Sequence, residues 1–136
     1  MRVGTVARPA RPRRPVRRTG EGAELSAALA ACQERKAVDG VVLDLVGLTD
    51  VTDHFVIVSG TSNTHVRAIA EHVVEMVREV GARVHHVEGL SAGRWVLLDF
   101  VDFVVHVFHP ALREFYQLER LWGDAPYRPF GRGEEA

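Results

Sequence analysis

The chain has little cysteine and no long apolar run, and both shortages narrow what it can be. Cys32 is the single cysteine among 136 residues, which excludes a disulfide framework and a cysteine-based zinc site. No apolar stretch approaches the roughly 18 residues of a membrane span, and the N-terminus lacks the apolar core of a secretory signal. We therefore expect a cytoplasmic protein, and a length of 136 residues fits one domain with a substantial core.

Catalytic motifs are also scarce. The segment 59–62 lies between a strand and a helix, as phosphate-binding loops do, but it lacks the lysine and spacing of a P-loop, and helix capping explains it equally well. The aspartates near strand ends contain no Asp-x-Asp pair that could hold two metals, and turns are their commoner role; they are Asp44, Asp50, Asp53, Asp99 and Asp102. The seven histidines include no H-E-x-x-H motif, and G-x-S-x-G is missing. We expect no catalytic residue, metal or cofactor.

Charge is unevenly distributed along the chain. Residues 1–20 contain seven arginines and no acid, whereas residues 21–136 contain 10 basic and 18 acidic residues. An acidic body is poorly suited to gripping a phosphate backbone, so contact with nucleic acid would run through a basic protein. Segment 1–22 is rich in proline and arginine and is expected to be disordered. Such charge runs are more often solvated tails than RNA-binding arms, and an unnatural upstream start codon would also explain this one.

The stretch with the strongest structural signal is Arg94–Pro110. Its two apolar runs, Trp95–Phe100 and Phe103–Phe108, are rich in β-branched and aromatic residues and are joined by a very short connection. This pattern predicts a β-hairpin. Both faces of each run are mostly apolar, which predicts interior strands covered on two sides. His106 alternates with valines and is expected to be a hydrogen-bonded histidine within the sheet.

The whole pattern predicts an α/β protein with α+β character, in which helices pack on a mixed sheet of about five strands. We expect the folded domain over residues 23–124 and a flexible tail over residues 125–136. The predicted order is α-β-β-α-β-β-β-α. These elements are a helix over 24–36, strands over 41–45 and 54–58, a helix ending before Gly81, a strand over 83–87, the hairpin, and a helix from Pro110 through Leu121.

Six sequence blocks occur in an order that is typical of one protein family. They are V-V-L-D-L (41–45), T-D-H-F-V-I-V-S-G-T-S (52–62), H-V-x-A-I-A (65–70), V-E-G (87–89), R-W-V-L-L-D-F-V-D-F-V-V-H-V-F (94–108) and R-E-F-Y-x-L-E-R-L-W (113–122). Together they closely resemble the ribosomal silencing factor family, also called RsfS or Iojap. The resemblance covers residues 24–124, and the blocks in this order are highly specific.

The resemblance implies a fold like a reduced nucleotidyl transferase without catalytic acids. It implies binding to the large ribosomal subunit through ribosomal protein L-fourteen, on the face that meets the small subunit. Such binding would block subunit joining and lower translation when nutrients are short. The resemblance also implies that the chain can form homodimers. The residues that it assigns to the partner-facing surface are Trp95 and Leu98, with Asp99, Tyr116 and Glu119 as weaker candidates.

Two further interpretations stay open on the residues alone. One is an assembly factor for the large subunit, which the sequence does not separate from a repressor. The other is a nucleotide-handling enzyme of transferase-like fold, which the missing acidic pair disfavours. Tyr116 and Trp95 favour a binding module, because half-exposed aromatic residues commonly anchor partners.

Val101 departs from the family pattern, which usually has glycine before the hairpin aspartate. A two-residue turn centred on Val101 and Asp102 would place a β-branched residue at positive φ, which is rarely tolerated. The sequence therefore predicts either another type of turn or a strained one.

Overall fold

The computed structural model describes residues 22–116 and 123–131. Its elements follow the predicted order, with one more strand near the C-terminal end. The helices are α1 (Ala23–Glu34), α2 (Asn63–Glu79) and α3 (Pro110–Tyr116). The strands are β1 (Val38–Asp44), β2 (His54–Ser59), β3 (His86–Glu88), β4 (Trp95–Asp99), β5 (Phe103–Phe108) and β6 (Tyr127–Phe130). The segment predicted to be disordered, apart from Gly22, and the predicted last turn of the final helix lie outside the described residues.

Within the described residues the strands form one mixed sheet in the order β3-β4-β5-β2-β1-β6. Strands β2 and β5 run parallel, and every other neighbouring pair runs antiparallel. The hairpin strands β4 and β5 lie inside the sheet, and all six residues of β5 are buried. The α/β class and the interior position of the hairpin are therefore confirmed. The prediction that both strands are covered on two sides holds for β5 but not for β4, because Trp95, Leu97 and Asp99 are partly exposed.

Helices α1 and α2 cover one face of the sheet and form the main core with it. Helix α2 begins after Ser62, whose side-chain oxygen accepts a hydrogen bond from the backbone N–H of His65 at 3.0 Å. It ends before Gly81, which takes the positive φ of 104° that suits the residue after a helix. The core-facing side of α2 is formed by Val66, Ile69, Ala70, Val73 and Val77.

The sheet has six strands within the described residues, and not five, because Tyr127–Phe130 pairs with β1. This corrects the predicted flexible tail over residues 125–136 where it contains β6, and residues 132–136 lie outside the described residues. Phe130 is buried, and its ring lies where a side chain on Gly40 would be, since an added Cβ there would approach the ring to 2.6 Å. Pro129 lacks a backbone donor but is tolerated because β6 is an edge strand.

The connection between β4 and β5 is a tight and strained turn. Val101 has a φ of 76°, and the N–H of Asp102 bonds the carbonyl of Phe100 at 2.9 Å, which makes a three-residue γ-turn. The N–H of Phe100 also bonds the carbonyl of Phe103 at 2.9 Å. Thr52 fixes the apex from the neighbouring loop, because its hydroxyl donates to the Val101 carbonyl at 3.0 Å. The second alternative of the sequence analysis, a strained turn, is therefore confirmed.

Candidate partner-binding face

Strand β4 directs alternate side chains to the two faces of the sheet. Leu98 is 0% exposed and belongs to the core cluster that contains the buried residues of α1 and α2. Trp95, Leu97 and Asp99 lie on the opposite face, and each is partly exposed. The assignment of Leu98 to a partner-facing surface is therefore corrected, since positions 95 and 98 are three residues apart and lie on opposite sides of a strand. Trp95 and Asp99, the other two β4 residues assigned to that surface, are partly exposed and remain candidates for it.

Trp95 is held to the neighbouring strand by a side-chain hydrogen bond. Its indole Nε1 donates to Nδ1 of His106 at 3.1 Å. An indole N–H can only donate, so Nδ1 is the acceptor and the proton of the neutral imidazole lies on Nε2. His106 is thus the hydrogen-bonded histidine within the sheet that the sequence predicted, and the structure supplies its partner.

Aromatic rings surround this hydrogen bond. The ring centroid of Trp95 lies 4.9 Å from that of Phe108, and His106 makes a T-shaped contact with Phe55 at 4.6 Å. We call Phe55, Trp95, His106 and Phe108 the aromatic face. Trp95 and Phe55 are partly exposed, whereas Phe108 and His106 are buried beneath them. Aromatic pairs prefer offset and edge contacts of this kind, and the two partly exposed rings present an apolar surface.

His106 is an unusual residue for its position. Its side chain is almost fully buried, and among the residues that the structure describes its Nε2 has no hydrogen-bond partner. Burial also lowers the pKa of His106 from 6.5 to about 4, because the charged imidazolium is poorly solvated there. The ring is therefore neutral at physiological pH, and Nδ1 remains available as the acceptor for Trp95.

The loop before β4 approaches Trp95 closely through a glycine. Gly89 has a φ of 81°, and a Cβ added there would lie 2.1 Å from the backbone oxygen of Trp95. Only glycine fits this combination of positive φ and close contact. Further along the same loop, Arg67 of helix α2 donates to the carbonyl of Ser91 at 3.2 Å. The loop is thus fixed at both places, and it holds the backbone at the start of β4.

Helix α3 crosses the same side of the sheet as the aromatic face. Leu112 packs against the small cluster that contains Leu43, Ile57 and Phe108, and Arg113 donates to the hydroxyl of Ser59 at 3.1 Å. The predicted partner-binding residues of this region are only partly within the described structure. Tyr116 is the last residue of α3, but its side chain is outside the described part, and Glu119 lies outside it entirely. Both remain predictions.

Two of the aspartates near strand ends stabilise turns. Oδ1 of Asp44 accepts the N–H of Val46 at 3.1 Å, and Oδ1 of Asp99 accepts the N–H of Val101 at 2.8 Å. Each is an aspartate bonding the backbone two residues ahead, which is a common turn device. Asp99 therefore stabilises the hairpin turn, and it is also the last residue on the partly exposed face of β4.

The first residues of helix α2 bond the loop that precedes it. The N–H of Thr61 bonds Nδ1 of His65 at 2.8 Å, and the hydroxyl of Ser62 caps the helix. His65 then lies 2.7 Å through Nε2 from the carbonyl of Arg35, and His72 lies 2.6 Å from Glu34, so both histidines link α2 to the region of α1. This favours the capping interpretation of residues 59–62 over phosphate binding.

Within residues 22–116 and 123–131, no group of three or more histidine, cysteine or acidic side chains is arranged to hold a metal. The same residues contain no helix long and apolar enough to cross a membrane.

The fold defines a small α/β protein built on a mixed sheet, with helices α1 and α2 on one face and the aromatic face and α3 on the other. A family model described as "Ribosomal silencing factor during starvation" matches residues 19–135. A protein named ribosomal silencing factor RsfS from Bacillus subtilis is 46% identical over 102 residues, which cover 75% of this chain and 86% of that protein. The chain therefore belongs to the ribosomal silencing factor family.

Two further similarities agree with this assignment. A crystal structure of a protein from Chromobacterium violaceum superposes with a TM-score of 0.72 and is 37% identical, covering 74% of this chain and 83% of that one. A mouse protein named for mitochondrial assembly of the ribosomal large subunit is 32% identical over 111 residues, which cover 79% of this chain and 49% of that protein. The family recognised from the sequence blocks is confirmed.

Proposed function

We propose that this chain binds the large ribosomal subunit and represses translation by preventing the small subunit from joining. The observation that carries the proposal is the family match over residues 19–135, because it spans the whole described fold. Because the family is described as silencing ribosomes during starvation, we propose nutrient limitation as the condition in which this chain acts.

The partly exposed residues of the aromatic face, Trp95 and Phe55, form the proposed contact surface together with Leu97 and Asp99 beside them. Trp95 supports this choice because it is partly exposed yet held in one orientation, and tryptophan is the residue type most enriched among binding hot spots. We propose ribosomal protein L-fourteen as the partner, as the sequence resemblance implies. The net charge of residues 21–136 is acidic, which complements a basic ribosomal protein. Tyr116 and Glu119 stay in the proposed surface as predictions, and Leu98 leaves it.

The proposed mechanism is steric and needs no chemistry. A protein seated on the joining face of the large subunit excludes the small subunit for as long as it stays bound, so repression follows occupancy and the dissociation rate. We accordingly propose that the chain is not an enzyme and needs neither metal nor nucleotide. The N–H groups of Gly60 and Thr61 already have partners within the chain, which supports this proposal.

A role in assembly of the large subunit is the second candidate. The mouse relative that carries assembly in its name favours it. Both functions would use the same contact with the large subunit, so binding alone does not separate them. Loss of the protein separates them: a strain without an assembly factor accumulates precursor particles, whereas a strain without a repressor contains mature subunits that join normally during starvation.

Sucrose-gradient sedimentation of cell extracts tests the proposal. We expect the chain to sediment with free large subunits from starved cells and to be absent from joined ribosomes. Purified chain added to separated subunits should lower the amount of joined ribosomes in proportion to its occupancy. Sedimentation with joined ribosomes, or with neither subunit, would contradict the proposal. Light scattering of the free chain would test the homodimer that the resemblance implies.

A further inference from the structure

One buried polar residue of the aromatic face is unexplained by folding alone. Among the described residues the imidazole of His106 makes one hydrogen bond, to Trp95, and its Nε2 has no partner. A buried donor without a partner is destabilising, and an aromatic hydrocarbon ring would avoid that loss. The rings that contact His106 belong to Phe55, Trp95 and Phe108. A phenylalanine at position 106 would therefore be compatible with its surroundings. Folding therefore does not account for a histidine here.

We propose that His106 is a positioning residue that fixes the indole of Trp95 in the orientation required for binding the large subunit. The inference rests on the proposed function, because it assigns His106 a role in that same contact. His106 is only 4% exposed and lies beneath the surface, so it acts through Trp95 and does not touch the partner.

The geometry gives a physical reason for such a role. The contact between Trp95 and Phe108 is a tilted ring contact, with an interplanar angle of 31°, and ring contacts alone leave the indole some freedom to slide and rotate. The hydrogen bond to Nδ1 of His106 is directional and selects the orientation in which the N–H edge points into the sheet. The opposite edge of the partly exposed indole is then presented outward. An anchor fixed before binding loses less conformational freedom on binding, so affinity rises without any new contact.

The neutral state of the histidine is part of this arrangement. An imidazolium carries a proton on both nitrogens and could not accept the indole N–H. Burial keeps the ring neutral, and the strand register pairs His106 with Leu97 and Phe108 with Trp95. Trp95 and His106 are therefore diagonal neighbours on the same face of the sheet, which places the acceptor within reach of the indole. Acceptor, donor and tautomer are therefore all set by the fold before any partner arrives.

Three substitutions in the full chain separate positioning from a purely structural role. His106→Phe keeps an aromatic ring and removes the acceptor, His106→Gln keeps an acceptor oxygen, and Trp95→Phe removes the indole donor. The first readout is the indole N–H signal of Trp95 in nuclear magnetic resonance, assigned by its loss in Trp95→Phe. We expect a downfield signal with slow hydrogen exchange in the parent and in His106→Gln. In His106→Phe it should shift upfield and exchange roughly three- to tenfold faster, which matches the net strength of one hydrogen bond. An unchanged signal in His106→Phe would overturn the inference.

The second readout is affinity for purified large ribosomal subunits, measured beside the melting temperature. His106→Phe should bind roughly three- to tenfold more weakly while its melting temperature is equal to or above that of the parent, and His106→Gln should recover most of the affinity. In the Trp95→Phe background the His106→Phe change should have no further effect, since the two residues act as a unit. Equal affinity of parent and His106→Phe, or additive losses in the double variant, would refute positioning. If the parent itself does not bind large subunits, the proposed function fails, and the magnetic resonance result still decides whether His106 orients Trp95.

Discussion

Oδ1 of Asp99 accepts a hydrogen bond of 2.8 Å from the backbone N–H of Val101, which sits at a φ of 76°. The aspartate thereby stabilises a backbone conformation that a β-branched residue rarely adopts. Val101 is 41% exposed, so its side chain gains little from packing in return. The turn therefore stores strain at one end of the strand that carries the proposed contact surface.

Replacing Val101 by glycine should stabilise the protein. The strain at such a residue is roughly 1–3 kcal/mol, and the entropy cost of glycine is about 0.5–1 kcal/mol, so we expect a gain of about 1 kcal/mol in unfolding free energy. Urea denaturation measures it. Val101→Ala is the matched control, because alanine also disfavours positive φ and should give little or no gain. Equal gains in both variants would show that the side chain, and not the backbone angle, causes the strain.

Gly89→Ala should destabilise the protein and disturb Trp95. The added Cβ would lie 2.1 Å from the Trp95 carbonyl oxygen, so the loop or the start of β4 must shift. We expect a loss of about 2 kcal/mol or more, together with a change in the near-ultraviolet circular dichroism that reports tryptophan packing. Gly47→Ala is the control, since Gly47 has a similar φ of 87° but nothing within 4 Å of an added Cβ. Equal losses in the two variants would contradict the close contact at Gly89.

Stability should fall on acidification because of His106. Its pKa is lowered to about 4 in the folded state and returns towards 6.5 on unfolding, so the unfolded chain binds more protons between these values. The stability associated with this residue is complete above pH 6.5 and is lost progressively as the pH falls to about 4. A shift of this size corresponds to about 3 kcal/mol. His106→Phe should lack this part of the pH dependence, which denaturation at several pH values would measure. Parallel curves for parent and variant would contradict it.

Leu98 and Leu97 should respond oppositely to truncation. Leu98→Ala removes a fully buried side chain and should cost about 2–5 kcal/mol of stability, with any loss of binding explained by unfolding. Leu97→Ala changes a partly exposed neighbour on the open face and should cost less stability but weaken large-subunit binding in molecules that remain folded. Binding measured at a temperature well below both melting transitions separates the effects. A folded Leu98→Ala that has lost affinity while Leu97→Ala retains it would reverse the assignment of the two faces.

The sequence predicted the elements of this sheet better than their faces. The apolar runs of β4 and β5 predicted an interior hairpin, which is present. Because both faces of these runs are apolar, periodicity alone did not show which one the helices cover. The period of two places Trp95 and Leu98 on opposite sides of the strand, so a common partner-facing surface for both is incompatible with a regular strand.

Other features depend on contacts between distant parts of the chain. Strand β6 is short and contains Pro129, so its local pattern resembled a tail, and its pairing with β1 and the packing of Phe130 over Gly40 decide its structure. The bond between Trp95 and His106 depends on the register of the hairpin, which in turn depends on the γ-turn at Val101. A valine at that position gave a signal of strain, but not of the turn type.

The affinity of Trp95→Ala for purified large ribosomal subunits tests the central claim most directly. Removing a central anchor costs about 2 kcal/mol or more, so we predict that binding weakens by more than about tenfold while circular dichroism and a thermal melt show a folded protein at the assay temperature. Tyr127→Ala is the matched control, since Tyr127 is an aromatic residue that is 68% exposed on the edge strand β6, away from β4 in the strand order. It should bind like the parent. A folded Trp95→Ala that binds large subunits with the affinity of the parent would contradict the proposed contact surface.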